Sequence, residues 1–84
     1  MQPKIIEQFT SGKKTIALIQ LDETNYCVRE TIKNLIFKDK INYYVLNIRG
    51  TCLIYSNLSE LTTIGTLERC RHIFNANTIT MGKI

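Results

Sequence analysis

Eighty-four residues, 44% apolar and 21% charged, suit one globular domain with one core and exclude a disordered chain. Lys and Arg outnumber Asp and Glu by 11 to 7, giving a formal charge of +4; this suits a polyanion partner without requiring one. The apolar runs are far shorter than the ~20 residues that cross a bilayer, so no membrane partner is expected.

In chain order, Lys4 to Phe9 is short and mixed, with Ile5, Ile6 and Phe9 apolar, and reads as a first strand. Ser11-Gly12-Lys13-Lys14 reads as a turn. Thr15 to Leu21 is β-branched and apolar and predicts a second strand. Asp22-Glu23-Thr24-Asn25 is a turn. Tyr26 to Ile36 fits two patterns. Tyr26, Val28 and Ile32 alternate with polar residues as in a half-buried strand, while Val28, Ile32, Leu35 and Ile36 also share one helical face. The strand is preferred because a hairpin partner precedes it and a strand follows. Phe37 to Lys40 is a charged turn. Tyr43 to Ile48 is a fourth strand, Arg49-Gly50-Thr51 breaks it, and Cys52 to Tyr55 makes a fifth. Leu67, Cys70, Ile73 and Phe74 then lie on one face of a helix from Thr66 to Ala76. Asn75-Ala76-Asn77 is expected to end it, leaving Thr78 to Met81 as a last strand or loose tail. Residues 1–57 are expected to hold the strands and 58–84 a helical C-terminal extension of the same domain. Five short strands with tight turns tend to close into a small barrel, which removes open edges.

Catalytic signatures are weak. Cys27, Cys52 and Cys70 are an odd number at wide spacing, as expected of free thiols in a reducing compartment. The start of the chain shows no secretory apolar stretch, so an intracellular place, nucleus or cytoplasm, is expected. Cys70 and His72 match no zinc spacing, and no carboxylate pair, phosphate loop or nucleophile motif stands out. No enzyme activity, metal or cofactor is expected.

Two constellations can read bases. One is Asp22-Glu23-Thr24-Asn25-Tyr26; the other is Asn47-Ile48-Arg49-Gly50. An Asn amide pairs with a base edge, a Tyr ring stacks, and an Arg plane stacks and holds phosphate. Taken as residues alone, both are better explained as turns, because Asp, Asn and Gly are what turns need.

Leu46 to Tyr55 resembles the second motif of the Sm and Sm-like RNA-binding family, an Ile-Arg-Gly triplet (Ile48-Arg49-Gly50) followed at once by a short apolar strand. Gly12, Leu18 and Asp22 sit at positions of the first motif, and Tyr26, Val28 and Ile32 follow in its third strand. Thr24 and Tyr26 stand where the family has an aromatic residue and an asparagine, and Asn25 lies between them. The resemblance implies a mainly β fold, a small, strongly bent five-stranded antiparallel barrel, here with a C-terminal helix. It implies subunits joined through edge strands into a homo- or hetero-oligomeric ring acting in RNA processing or splicing. It also implies that single-stranded U-rich RNA meets Asp22, Asn25, Tyr26, Arg49 and Gly50. Two alternatives stand beside it: a protein-interaction module on the same barrel without RNA contacts, favoured by the Thr24 and Tyr26 departures, and a small basic ribonuclease using Arg49, Arg69, Arg71 and His72.

Overall fold

The structure, a computed structural model, describes residues 2–63 and 65–83. Five strands come first: β1 (Lys4–Ser11), β2 (Lys14–Gln20), β3 (Tyr26–Ile32), β4 (Lys40–Leu46) and β5 (Cys52–Tyr55). A single 3₁₀ turn at Leu58–Glu60 and one helix, α1 (Leu67–Thr80), follow. The sheet order is β1-β2-β3-β4-β5, with every neighbouring pair antiparallel. The chain is thus mainly β with one C-terminal helix, as its residues suggest. The sheet is open, and β1 and β5 are its edges.

Three elements differ in their bounds from expectation, each for a local reason. The Tyr26–Ile36 segment is a strand, but it ends at Ile32. Asn34 turns the chain there: its side-chain oxygen accepts from the backbone amides of Ile36 and Phe37, at 2.9 and 3.0 Å. The following strand begins at Lys40 and ends at Leu46, because Asn47 starts the next turn by accepting the Arg49 and Thr51 amides. The helix does not stop at Asn75–Asn77 but runs to Thr80, so Thr78 to Met81 is neither strand nor loose tail. Asn77 donates its amide to the Ile73 carbonyl and Thr80 its hydroxyl to the Ala76 carbonyl. These polar side chains bond back into the helix rather than breaking it.

Strand β2 explains the core. Ile16 and Leu18 point to one face, Ala17 and Ile19 to the other, and all four are buried. A strand covered on both faces reads as a continuous apolar run. On the first face Ile16, Leu18 and Val28 pack with Cys70, Ile73 and Phe74 of α1. On the second, Ala17, Ile19, Cys27 and Val45 pack with Tyr55, Leu58 and Leu61. The chain after β5 therefore covers one face, crosses over, and covers the other with the helix. Gly65 lies at the crossing. A Cβ there would overlap the Tyr26 carbonyl oxygen and stand 2.9 Å from the Cys70 Sγ. Its own carbonyl accepts from the Tyr26 amide at 2.7 Å. Thr66 then caps the helix, its side chain accepting from the Arg69 amide.

Two carboxylates tie the elements, one between sheet and helix and one within the sheet. Glu7 on β1 accepts from Arg71 and Lys83, at 3.0 and 2.9 Å, binding both ends of the helical segment to an edge strand. Glu30 is 8% exposed. It takes Lys14 at 3.2 Å, the Tyr44 hydroxyl at 3.0 Å and the Asn42 amide at 3.4 Å. Burial alone would push Glu30 up, but the hydrogen bonds from Lys14, Tyr44 and Asn42 outweigh it and hold the carboxyl below its ordinary value. Burial, and then Glu30 itself, pushes the Tyr44 hydroxyl up to about 12.

Phe74→Ala is expected to cost about 3–5 kcal/mol in urea denaturation, because the ring is wholly buried under the sheet. The exposed Ile79→Ala should stay within about 0.5 kcal/mol. The Glu30 carboxyl ionises at a lower pH folded than unfolded. Its contribution is thus present above the ordinary value of 4.5 and is lost as pH falls through the depressed one. Glu30→Gln should flatten the fall in stability on acidification; an unchanged acid slope would show that other groups carry it.

Candidate nucleic-acid interface

The β2–β3 turn is built by Asp22. Its Oδ1 accepts from the amides of Thr24 and Asn25, at 2.9 and 2.8 Å, and its Oδ2 accepts from Asn25 Nδ2 at 2.7 Å. The Leu21 and Asp22 amides both donate to the Asn25 carbonyl, at 2.8 and 3.3 Å. This is an Asx turn reinforced by a second side chain. The Asn25 amide first, then the Thr24 backbone amide, hold the Asp22 carboxyl below its ordinary range. Asn25 is left with one unused group: its Oδ1 is buried and has no hydrogen-bond partner.

The β4–β5 turn is built by Asn47. Its Oδ1 accepts from the amides of Arg49 and Thr51, both at 2.9 Å, and its carbonyl accepts from Gly50 N at 3.0 Å. Gly50 sits at φ 84, where a side chain would be strained. The turn leaves Arg49 exposed, and its guanidinium meets no hydrogen-bond or ion-pair partner among the described residues.

Register brings these turns together. Gln20 pairs with Tyr26, Val28 with Tyr44, and Leu46 with Cys52. Both turns therefore lie at one end of the sheet, where β1 also starts, since Lys4 pairs with Gln20. Of the five expected contacts, Asp22 and Asn25 share one turn and Arg49 and Gly50 share the other. Tyr26 stands at the root of the first, its ring packed against the helix-side core and its hydroxyl accepting from Gln20 Nε2 at 3.3 Å.

Two recesses flank this end. One, of about 400 Å³, is bordered by Asp22 and Asn25 together with Pro3, Leu61, Thr62 and Thr63. The other, of about 710 Å³, lies along α1 between Leu46 and Arg69, Arg71, His72 and Asn75. Arg69, Arg71 and His72 thus share a groove, and Arg49 is not among the residues lining it. Arg71 is bonded to Glu7. Thr62 and Thr63 escape sequence reading because only the crossing segment carries them to the Asp22 turn, and Pro3 because only the pairing of Lys4 with Gln20 brings it there. No sequence period marks such a contact.

Among the described residues no three His, Cys, Asp or Glu side chains gather as a metal site would require. Burial, and then neighbouring Cys70, pushes the Cys27 thiol up to about 12; burial pushes Cys70 up to about 11. Both are buried, whereas Cys52 is exposed on β5. Compared with protein-family models, curated proteins and solved structures, the chain matches none.

A maleimide reagent should label Cys52 alone in the native protein, and Cys27 and Cys70 only in denaturant. Mass spectrometry of the labelled peptides checks this, and native labelling of all three would contradict the two-faced core.

Proposed function

We propose that the chain is a single-stranded RNA-binding subunit of Sm-like type. In this reading it acts in RNA processing or splicing, and its two-turn end meets U-rich RNA. The observation that carries this reading is the convergence at one sheet end of the locked Asp22–Asn25 pair and the unpartnered Arg49 guanidinium. Asp22 holds Asn25 by its Nδ2, which fixes the amide and leaves Oδ1 without a partner; that oxygen is buried, so a base N–H reaches it only if the turn opens. Arg49 offers a plane for stacking and a charge for phosphate. Gly50 removes the side chain that would otherwise stand beside that contact. Tyr26, packed behind the first turn, keeps it in place. The chemistry is binding, with no bond made or broken.

Edge strands supply the route to assembly. β5 presents an outer row of backbone groups, and Ile54 on it is 63% exposed. β1 is less regular, because its pairing slips between Ile5 and Glu7. In this reading neighbouring subunits satisfy these edges, and the bent barrel is the form the sheet takes in the ring.

A protein-interaction module without RNA contacts is favoured by one observation. The Asp22 carboxylate and the Asn47 side-chain oxygen are already used inside their own turns. Arg49 separates the two readings. Arg49→Ala should weaken oligo-uridine binding by about 1–3 kcal/mol in fluorescence anisotropy, with an unchanged melting temperature because the side chain is exposed. Unchanged affinity would leave the interaction module.

A further inference from the structure

The opposite end of the sheet carries a different chemistry. The β3–β4 turn presents three consecutive large apolar side chains to solvent: Leu35 is 78% exposed, Ile36 83% and Phe37 75%. They are held out rather than left loose. Asn34 Oδ1 accepts from the Ile36 and Phe37 amides, and Asp39 Oδ1 accepts from the Asn34 amide at 3.1 Å. The Lys33 amide anchors the base of the turn on the Lys13 carbonyl at 2.8 Å. Lys33 precedes the apolar triplet, Lys38 and Lys40 follow it, and Lys13 lies in the adjoining turn; all four are exposed. The one acid among them, Asp39, already serves the turn.

From this arrangement we infer that Leu35-Ile36-Phe37 is a wedge that inserts into the surface of a bilayer containing anionic lipid. Three features select that occupant. The apolar residues form a projecting tip, which enters acyl chains without needing a matching pocket. The amides of Ile36 and Phe37 are satisfied from within the turn, so taking the tip out of water leaves neither donor unpaired. The lysines on both sides of the triplet match anionic headgroups at the depth where a shallow insertion would leave them. RNA would reward the lysines and could stack on Phe37, but it offers nothing to Leu35 and Ile36. This contact lies on a surface and is separate from spanning: no helix among the described residues is long and apolar enough to cross a membrane. It is also independent of the RNA-binding reading, which uses the other end of the sheet.

Flotation of the full chain with phosphatidylcholine vesicles, with and without phosphatidylserine, tests it. The chain should float only with phosphatidylserine present, and a Trp placed by Phe37→Trp should shift its emission to the blue on binding. Ile36→Ser keeps the charge and removes one apolar side chain at an exposed position; it should weaken vesicle binding on the order of tenfold with unchanged circular dichroism. A chain that stays unbound with phosphatidylserine vesicles, or an Ile36→Ser variant that binds as tightly as wild type, overturns the proposal. So does Ile36→Ser weakening oligo-uridine binding while neither protein floats, which assigns the tip to RNA.

Discussion

Everything in this small fold depends on the docking of α1 against the face formed by Ile16, Leu18 and Val28. A five-stranded sheet of this length cannot bury two faces by itself, and about 80 residues leave little core to spare. The C-terminal segment resolves this by covering both. Leu58 and Leu61 lie against one face, and Cys70, Ile73 and Phe74 against the other. The passage between them needs a residue without a side chain at Gly65, because Tyr26 and Cys70 already fill the space. The Tyr26 amide bonded to the Gly65 carbonyl then fixes where β3 begins, and with it the turn that Asp22 shapes.

The meander sorts its chemistry by end. One end gathers the turns of Asp22–Asn25 and Asn47–Thr51, polar and held by side chains bonded to their own backbone. The other gathers lysines around an apolar tip. Antiparallel order makes this possible, since alternate turns fall at opposite ends of the sheet. Glu7 ties β1 to the helical segment and Glu30 ties β2, β3 and β4 to one another, and neither uses a residue of the two polar turns or of the apolar tip.

Much of this is legible in the residues. TIALIQL and CLIY read as strands because β-branched and apolar side chains follow one another, and both are strands. The helix is visible from Leu67, Cys70, Ile73 and Phe74, but its end is not: Asn75 to Asn77 look like a stop signal and Thr78 to Met81 like a strand or tail until Asn77 and Thr80 are seen bonding back to carbonyls. Leu35 and Ile36 mislead in a different way. Their apolar character prolongs the third strand on paper, whereas Asn34 turns the chain and leaves them, with Phe37, in solvent. The expected closure into a barrel rests on the need to hide edges. Here the C-terminal segment covers the faces, and the edges stay open. At the polar end, Asp22 and Asn25 are readable as a turn. Their neighbours Thr62 and Thr63 are not, because tertiary crossing alone brings them there.

An amide-shift titration of the labelled chain with oligo-uridine tests the functional claim most directly. The account predicts shifts concentrated at residues 22–26 and 47–51, with the tip at 35–37 unmoved. Shifts confined to the helix groove at Arg69–Asn75, or none at all, would contradict an RNA site built from the two turns.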